Sequence, residues 1–268
     1  MARDDDSPVI CSSTPPPCRR LEGKKAIVTA ATKGIGLAIA CRLAQEGASV
    51  FICSRKQKNV DDAVRDMRSR GFDADGCACN VGSLDQLKAF VQKAADTFGG
   101  RIDILVSNAG VNPYVGLAVD AEERVFQKIF RINVLSYLQI VQLSKPYMPQ
   151  GSSVVFVAST SAYQPQPPLG LYAVSKTAVV SLGKLLAVEL GGDGIRVNCI
   201  APGVVRTKMA EMLWKNEDNA NMMKSQLMLG RLADPVDMSG VVAFMVSDDA
   251  KHMTGESIVV SGGTFSHL

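Results

Sequence analysis

The sequence predicts an α/β fold of the doubly wound kind, with one seven-stranded parallel sheet in a single domain and helices on both of its faces. Three observations predict it. Short apolar runs alternate along the chain with segments of helical periodicity. The runs show little polar alternation, as strands buried on both faces require. A glycine-bearing turn joins the first run to the first helix, as in Rossmann-type nucleotide folds. With 268 residues, 47% hydrophobic and 21% charged, the chain can bury one substantial core.

The elements follow in order. Residues 1 to 20, with Asp4, Asp5, Asp6 and the run Pro15 to Pro17, lack apolar periodicity and read as a disordered tail, leaving 21 to 268 as the domain. The tail fits neither a mitochondrial presequence, which is poor in acids, nor a secretory signal, which needs an apolar centre. Lys25 to Ala30 is the first strand, and Ile35, Ile39 and Leu43 recur at helical spacing until Gly47 stops the helix. Ser49 to Cys53 is strand, Asn59 to Arg70 a charged helix, Asp73 to Cys79 strand, and Leu84 to Phe98 helix. Ile102 to Ser107 is the fourth strand, Glu122 to Tyr147 one long helix, and Ser153 to Ser159 the fifth strand. Leu171 to Leu190 is helix, Arg196 to Ile200 the sixth strand, and Ser257 to Val260 the seventh.

Composition narrows the function classes. Lys and Arg number 29 against 26 acids, a formal charge of +3 without a dense basic block, which does not suit nucleic acid. The sequence offers no run of about 18 apolar residues, so no membrane span is expected. The seven cysteines form no C-x-x-C pair and no cluster with histidine, so neither a metal site nor a disulfide framework is expected.

Two ends of the sheet carry chemistry. In the turn from Thr29 to Gly36, Gly34 and Gly36 let the backbone approach a pyrophosphate, and the helix N-terminus beyond it offers free N–H groups and a positive dipole end. An NAD site carries an acid about 20 residues past the glycines, at the end of the second strand. Here Gly47 to Val60 contains no carboxylate; Ser54 is followed by Arg55 and Lys56, with Lys33 nearby. These cations favour the 2'-phosphate of NADP, against the alternative that they are solvated surface charges. At the second end, Tyr172 and Lys176 lie four apart and share a helix face, where an ammonium lowers the pKa of a phenol toward working pH. Ser159 closes the fifth strand and can orient a carbonyl; Ser161 competes for that role. Asn133 interrupts an apolar helix and must be hydrogen-bonded, either to Lys176 through water or to local backbone.

Together these motifs resemble those of the short-chain dehydrogenase/reductase family, over Leu21 to Leu268. Thr29 to Gly36 is similar to its T-G-x-x-x-G-x-G turn, Asn108-Ala109-Gly110 to its N-N-A-G segment, and Pro202-Gly203-Val204-Val205-Arg206-Thr207 to its P-G-x-x-x-T nicotinamide loop. Asn133, Ser159, Tyr172 and Lys176 match its catalytic four. The resemblance implies a cofactor set of Thr29, Lys33, Gly34, Ile35, Gly36, Ser54, Arg55, Lys56, Asn80, Val81, Asn108, Ala109, Gly110, Tyr172, Lys176, Pro202, Gly203, Val205 and Thr207. Within the family, Ser54 to Val60, Ser107 to Pro113, Ala201 to Gly203 and Met212 to Trp214 resemble the peroxisomal NADPH-dependent retinal and carbonyl reductases. Three positions depart from the family pattern: Ala30 replaces the first glycine, Asn80 an acid near the adenine, and Ser107 the first asparagine.

The resemblance implies reduction of a carbonyl with NADPH, Tyr172 giving the proton, Ser159 positioning the oxygen and Lys176 stabilising the tyrosinate. Met209, Met212, Met222, Met223 and Met228 crowd one segment with Trp214, and with Tyr163 and Leu169 they suggest a lipophilic pocket for ketones, diketones or retinal; plain helix packing is the alternative. The other function readings are a 3-oxoacyl thioester reductase and a catalytically silent NADP-binding regulator. Helices that are apolar nearly all round, Val125 to Leu143 and Ala173 to Leu190, predict a homodimer or homotetramer, against close packing on the sheet. Ser266-His267-Leu268 is a variant of a peroxisomal import signal, so a peroxisomal location with an import receptor as partner is expected, and a cytoplasmic one if the tripeptide is only a frayed end.

Overall fold

The computed structural model describes residues 19–167 and 169–264. Ser266-His267-Leu268 and most of the expected tail lie outside the described residues. Seven parallel strands, β1 (Lys25–Val28), β2 (Ser49–Ser54), β3 (Ala74–Ala78), β4 (Ile104–Ser107), β5 (Ser153–Val157), β6 (Arg196–Pro202) and β7 (Ser257–Val260), form one sheet in the order β3-β2-β1-β4-β5-β6-β7. The order reverses between β1 and β4, so the crevice beyond their carboxyl ends is where such sheets receive ligands.

Alternate residues of each strand feed separate cores. Ile27, Phe51, Leu105, Val154 and Phe156 face one side, packed by α3 (Leu84–Thr97), α5 (Ser136–Ser144) and α6 (Gly170–Gly191). Ala26, Val28, Val50, Ile52 and Val106 face the other, under α1 (Gly34–Gln45), α2 (Gln57–Ser69) and α9 (Pro235–Val246). By length and composition α6 could cross a membrane, but it lies on the sheet, with Val179, Gly183, Leu186 and Leu190 buried and Lys176 within its turn. α7 (Glu211–Trp214) and α8 (Glu217–Ser225) fill the segment between β6 and α9.

Two features differ from the sequence expectation. The single helix expected over 122–147 is α4 (Glu123–Phe130), a π-helical turn over Arg131–Leu135, α5, and a final 3-10 turn. A π turn inserts one residue into the helical repeat, and here it holds the fully buried Asn133. The folded chain also reaches back past Leu21. Arg20 makes a bidentate pair with Glu46 at 2.7 and 2.8 Å, Arg42 adds a third bond at 2.7 Å, and Arg20 reaches Asp249 at 3.2 Å. Burial pushes the Glu46 pKa up, but the two guanidiniums more than offset it and hold the carboxyl below its ordinary value.

Candidate active site

The nucleotide turn is tied together by short polar contacts. Thr29, buried at the end of β1, accepts through Oγ1 from Asn108 N at 2.9 Å and Ala109 N at 3.3 Å. Asn108 Nδ2 donates to the Thr29 and Ala30 carbonyls at 3.0 and 3.2 Å, binding β4 to the turn after β1. Ala30 takes φ +51°, the one non-glycine in the left-handed region among the described residues. The family's first glycine is therefore replaced without loss of its backbone angle, at a cost of about 1–2 kcal/mol. A Cβ on Gly36 would collide with Asn108 Nδ2 and come within 2.7 Å of the Ala30 carbonyl, so only glycine brings α1 this close. Lys33 caps α1 in extended backbone with no side-chain hydrogen bond, and the first turn of α1 carries no acid. Ile35 follows half-buried in that first turn.

The cations lie where the sequence places them. Ser54 ends β2 half-buried, and Arg55, Lys56 and Lys33 are exposed. Among the described residues no carboxylate pairs with any of the three. On the next strand's extension, Val81 is buried, while exposed Asn80 accepts from Gly82 N at 3.1 Å and its own N–H is taken by Gln86. Pro202 ends β6, and Gly203 packs so closely on Ser261 that a Cβ would lie 3.0 Å from its Cα. Val205 is buried, and Thr207 lies over the start of α1, 3.3 Å from where a Gly34 Cβ would be.

The second cluster forms at the carboxyl end of β5. Ser159 caps a 3-10 turn, accepting from Ser161 N at 3.2 Å and from the Ser161 hydroxyl at 2.9 Å, and it lies close enough to Tyr172 to pull the phenol's pKa down. Ser161 thus donates twice to the Ser159 hydroxyl. Lys176, fully buried, donates to the Val157 carbonyl at 2.8 Å, with its Nζ 5.7 Å from the centre of the Tyr172 ring. The two side chains share one helix face, as their spacing requires. Their electrostatics differ from the sequence expectation. Burial pushes the Tyr172 phenol up to about 12, against the lowering effect of Ser159. Burial also takes Lys176 down to about 7, so loss of water, and not the pairing of the two groups, sets both values in the free protein.

Asn133 bonds backbone that is distant in sequence. Its Oδ1 accepts from Val111 N at 2.8 Å, and its Nδ2 donates to the Val111 carbonyl and the Ser175 hydroxyl, each at 3.0 Å. It thereby docks the segment after Gly110 onto α6 beside Lys176. A Cβ on Gly110 would lie 3.5 Å from Lys176 Nζ and 3.9 Å from both Asn133 Oδ1 and Met209 Cε, so Gly110 borders the lysine and has Met209 at the edge of the site. Tyr163 is exposed and Leu169 half-buried at the start of α6. Trp214 is half-buried; its indole N–H donates to the Thr207 carbonyl at 3.0 Å and its ring carries the Arg206 guanidinium at 5.6 Å. Sequence reasoning overlooked Ser175, Val111 and Tyr137; only Ser175, inside the Tyr-x-x-x-Lys spacing, gave a signal.

The chain is similar to known proteins over most of its length. A family model described as Enoyl-(Acyl carrier protein) reductase matches residues 29–264. The chain is 47% identical to Dehydrogenase/reductase SDR family member 4 of Sus scrofa, covering 92% of this chain and 89% of that protein. It is 45% identical to Tropinone reductase-like 3 of Erythroxylum coca, covering 93% and 96%. The crystal structure of a short-chain dehydrogenase from Burkholderia cenocepacia in complex with NADP superposes with a TM-score of 0.85 at 29% identity, covering 91% of this chain and 99% of that one. The chain belongs to the short-chain dehydrogenase/reductase family of oxidoreductases.

Proposed function

We propose that the protein is an NADPH-dependent reductase of lipophilic carbonyl compounds, with Tyr172 as proton donor. The observation that carries this reading is the meeting of a phenol, a supported serine hydroxyl and a buried lysine beside Gly110. The nucleotide end fits NADP. The uncapped α1 N-terminus and the close approach at Gly36 suit a pyrophosphate, and the cations Lys33, Arg55 and Lys56 suit a 2'-phosphate. A solved relative binds NADP. When bound, NADPH supplies the hydride.

The chain's own residues handle the proton. At neutral pH the raised Tyr172 pKa keeps the phenol protonated, the form a donor needs. Ser159 holds the substrate oxygen within reach of Tyr172 Oη, and that oxygen takes the phenolic proton as it gains charge. A charged Lys176 and the Ser159 hydroxyl then stabilise the tyrosinate left behind. Because burial brings Lys176 to about 7, its ammonium is lost as pH rises through that value, and kcat/KM for reduction declines on the alkaline side.

Met209 at the edge of the site, with Met212, Met222 and Met228 exposed in the segment that follows it, supports lipophilic ketones, diketones or retinal as substrates. The matched family description favours a second reading, an acyl thioester substrate. NADPH oxidation across a panel of aromatic ketones, diketones, retinal and 3-oxoacyl thioesters separates the two. Tyr172→Phe is expected to abolish turnover and leave NADPH binding, followed by fluorescence, close to that of the parent; sustained turnover refutes the donor role.

A further inference from the structure

Beneath the lysine lies an aromatic side chain to which the reaction described above gives no task. Tyr137, on α5, is fully buried, and Lys176 Nζ lies 5.4 Å from its ring centre. Its hydroxyl donates to the Val157 carbonyl at 3.2 Å, the same oxygen that accepts from Lys176 Nζ at 2.8 Å. A T-shaped contact with Phe156, 5.1 Å between ring centres, keeps the tyrosine in place. Tyr137 thus meets the lysine twice, with the negative face of its ring and as a rival donor on one carbonyl.

We infer that Tyr137 is a positioning residue that sets how readily Lys176 carries its charge, the ring favouring the ammonium and the hydroxyl opposing it through their shared acceptor. The inference rests on the reductase reading above. A cation over an aromatic face in a water-poor site is stabilised directly, whereas a carbonyl already accepting one hydrogen bond has less to give a second donor. The titratable groups facing Lys176 are few: Tyr172 from its own helix, Tyr137 from α5, and Cys199 from β6, whose thiol burial raises to about 11 and so keeps neutral. Burial weighs most against the Lys176 charge and among the described residues no carboxylate opposes it; the aromatic ring and the shared carbonyl act within that balance.

Two substitutions separate the effects because they act in opposite directions. Tyr137→Phe keeps the ring and frees the Val157 carbonyl for Lys176, so the alkaline limb of kcat/KM is expected to move up by about half a pH unit. Tyr137→Met leaves a smaller apolar side chain and loses both ring and hydroxyl; the ring's loss outweighs the freed carbonyl, so the limb is expected to move down by about one unit. The experiment measures NADPH-dependent ketone reduction against pH for the parent and both full-length variants, with NADPH affinity followed by fluorescence at each pH. A purely packing role would lower thermal stability and leave both limbs at the parent's pH. Coincident limbs, or a limb for Tyr137→Phe at or below the parent's, overturn the inference even if Tyr137→Met fails to fold. A parent enzyme that binds NADPH and reduces no carbonyl instead overturns the reductase reading.

Discussion

Arg55 and Lys56 leave β2 on the face where an NAD-selective site places a carboxylate, and among the described residues neither has an acidic partner. A phosphate there gains charge-assisted hydrogen bonds that NAD cannot offer. Arg55→Ala is therefore expected to raise the NADPH Michaelis constant by about tenfold and leave that for NADH nearly unchanged, in steady-state kinetics with one ketone. The charges were legible because residue type and spacing alone carry them. The left-handed angle of Ala30 was legible only as a question, since a Cβ in that position is permitted by the contacts of the folded turn. Asn133 was legible as a buried amide needing partners, but Val111 lies 22 residues and Ser175 42 residues away, and such pairings exist only after folding. The phenol's raised pKa was misjudged because a sequence shows which charges are neighbours and not how much water they lose.

At the scale of elements, the strands and most helices followed from apolar runs and glycine stops. The π turn did not, because the apolar residues on both sides of Asn133 keep an acceptable helical spacing whether or not one residue is inserted. Helix α9 also escaped notice: it is apolar nearly all round, so periodicity is weak, although Asp234, Pro235 and Asp237 provide a capping box and a proline start. The helices flagged as unusually apolar leave Phe126 and Leu135 exposed around α4 and α5, and Val174, Leu185 and Val188 exposed on α6. Val188 is 82% exposed. We propose that a second copy of the chain covers Val174, Leu185 and Val188, which helical spacing sets on one face of α6, since exposed apolar patches mark interaction sites. Light scattering is expected to give at least a dimeric mass for the parent and a monomeric mass for Leu185→Asp combined with Val188→Asp; a monomeric parent at micromolar concentration defeats the proposal.

For the molecule as a whole, burying Lys176 and Tyr172 links stability to pH. Below about 7 the lysine is protonated in both states and its burial costs the folded one; between about 7 and its ordinary 10.5 the unfolded chain alone holds that proton. Stability from this group accordingly rises as pH increases through that interval. Tyr172 acts oppositely above pH 10, where the folded state keeps a proton up to about 12 that the unfolded chain releases, so its contribution declines there. Urea unfolding of Lys176→Met between pH 7 and 10 is expected to show a smaller rise with pH than the parent; equal slopes count against a depressed lysine. The tie between Arg20, Glu46 and Asp249 sets a boundary of another kind. A cut that removes Arg20 strips a fully enclosed carboxylate of its two-pronged partner, and any shortened form meant for crystals or assays must keep that residue.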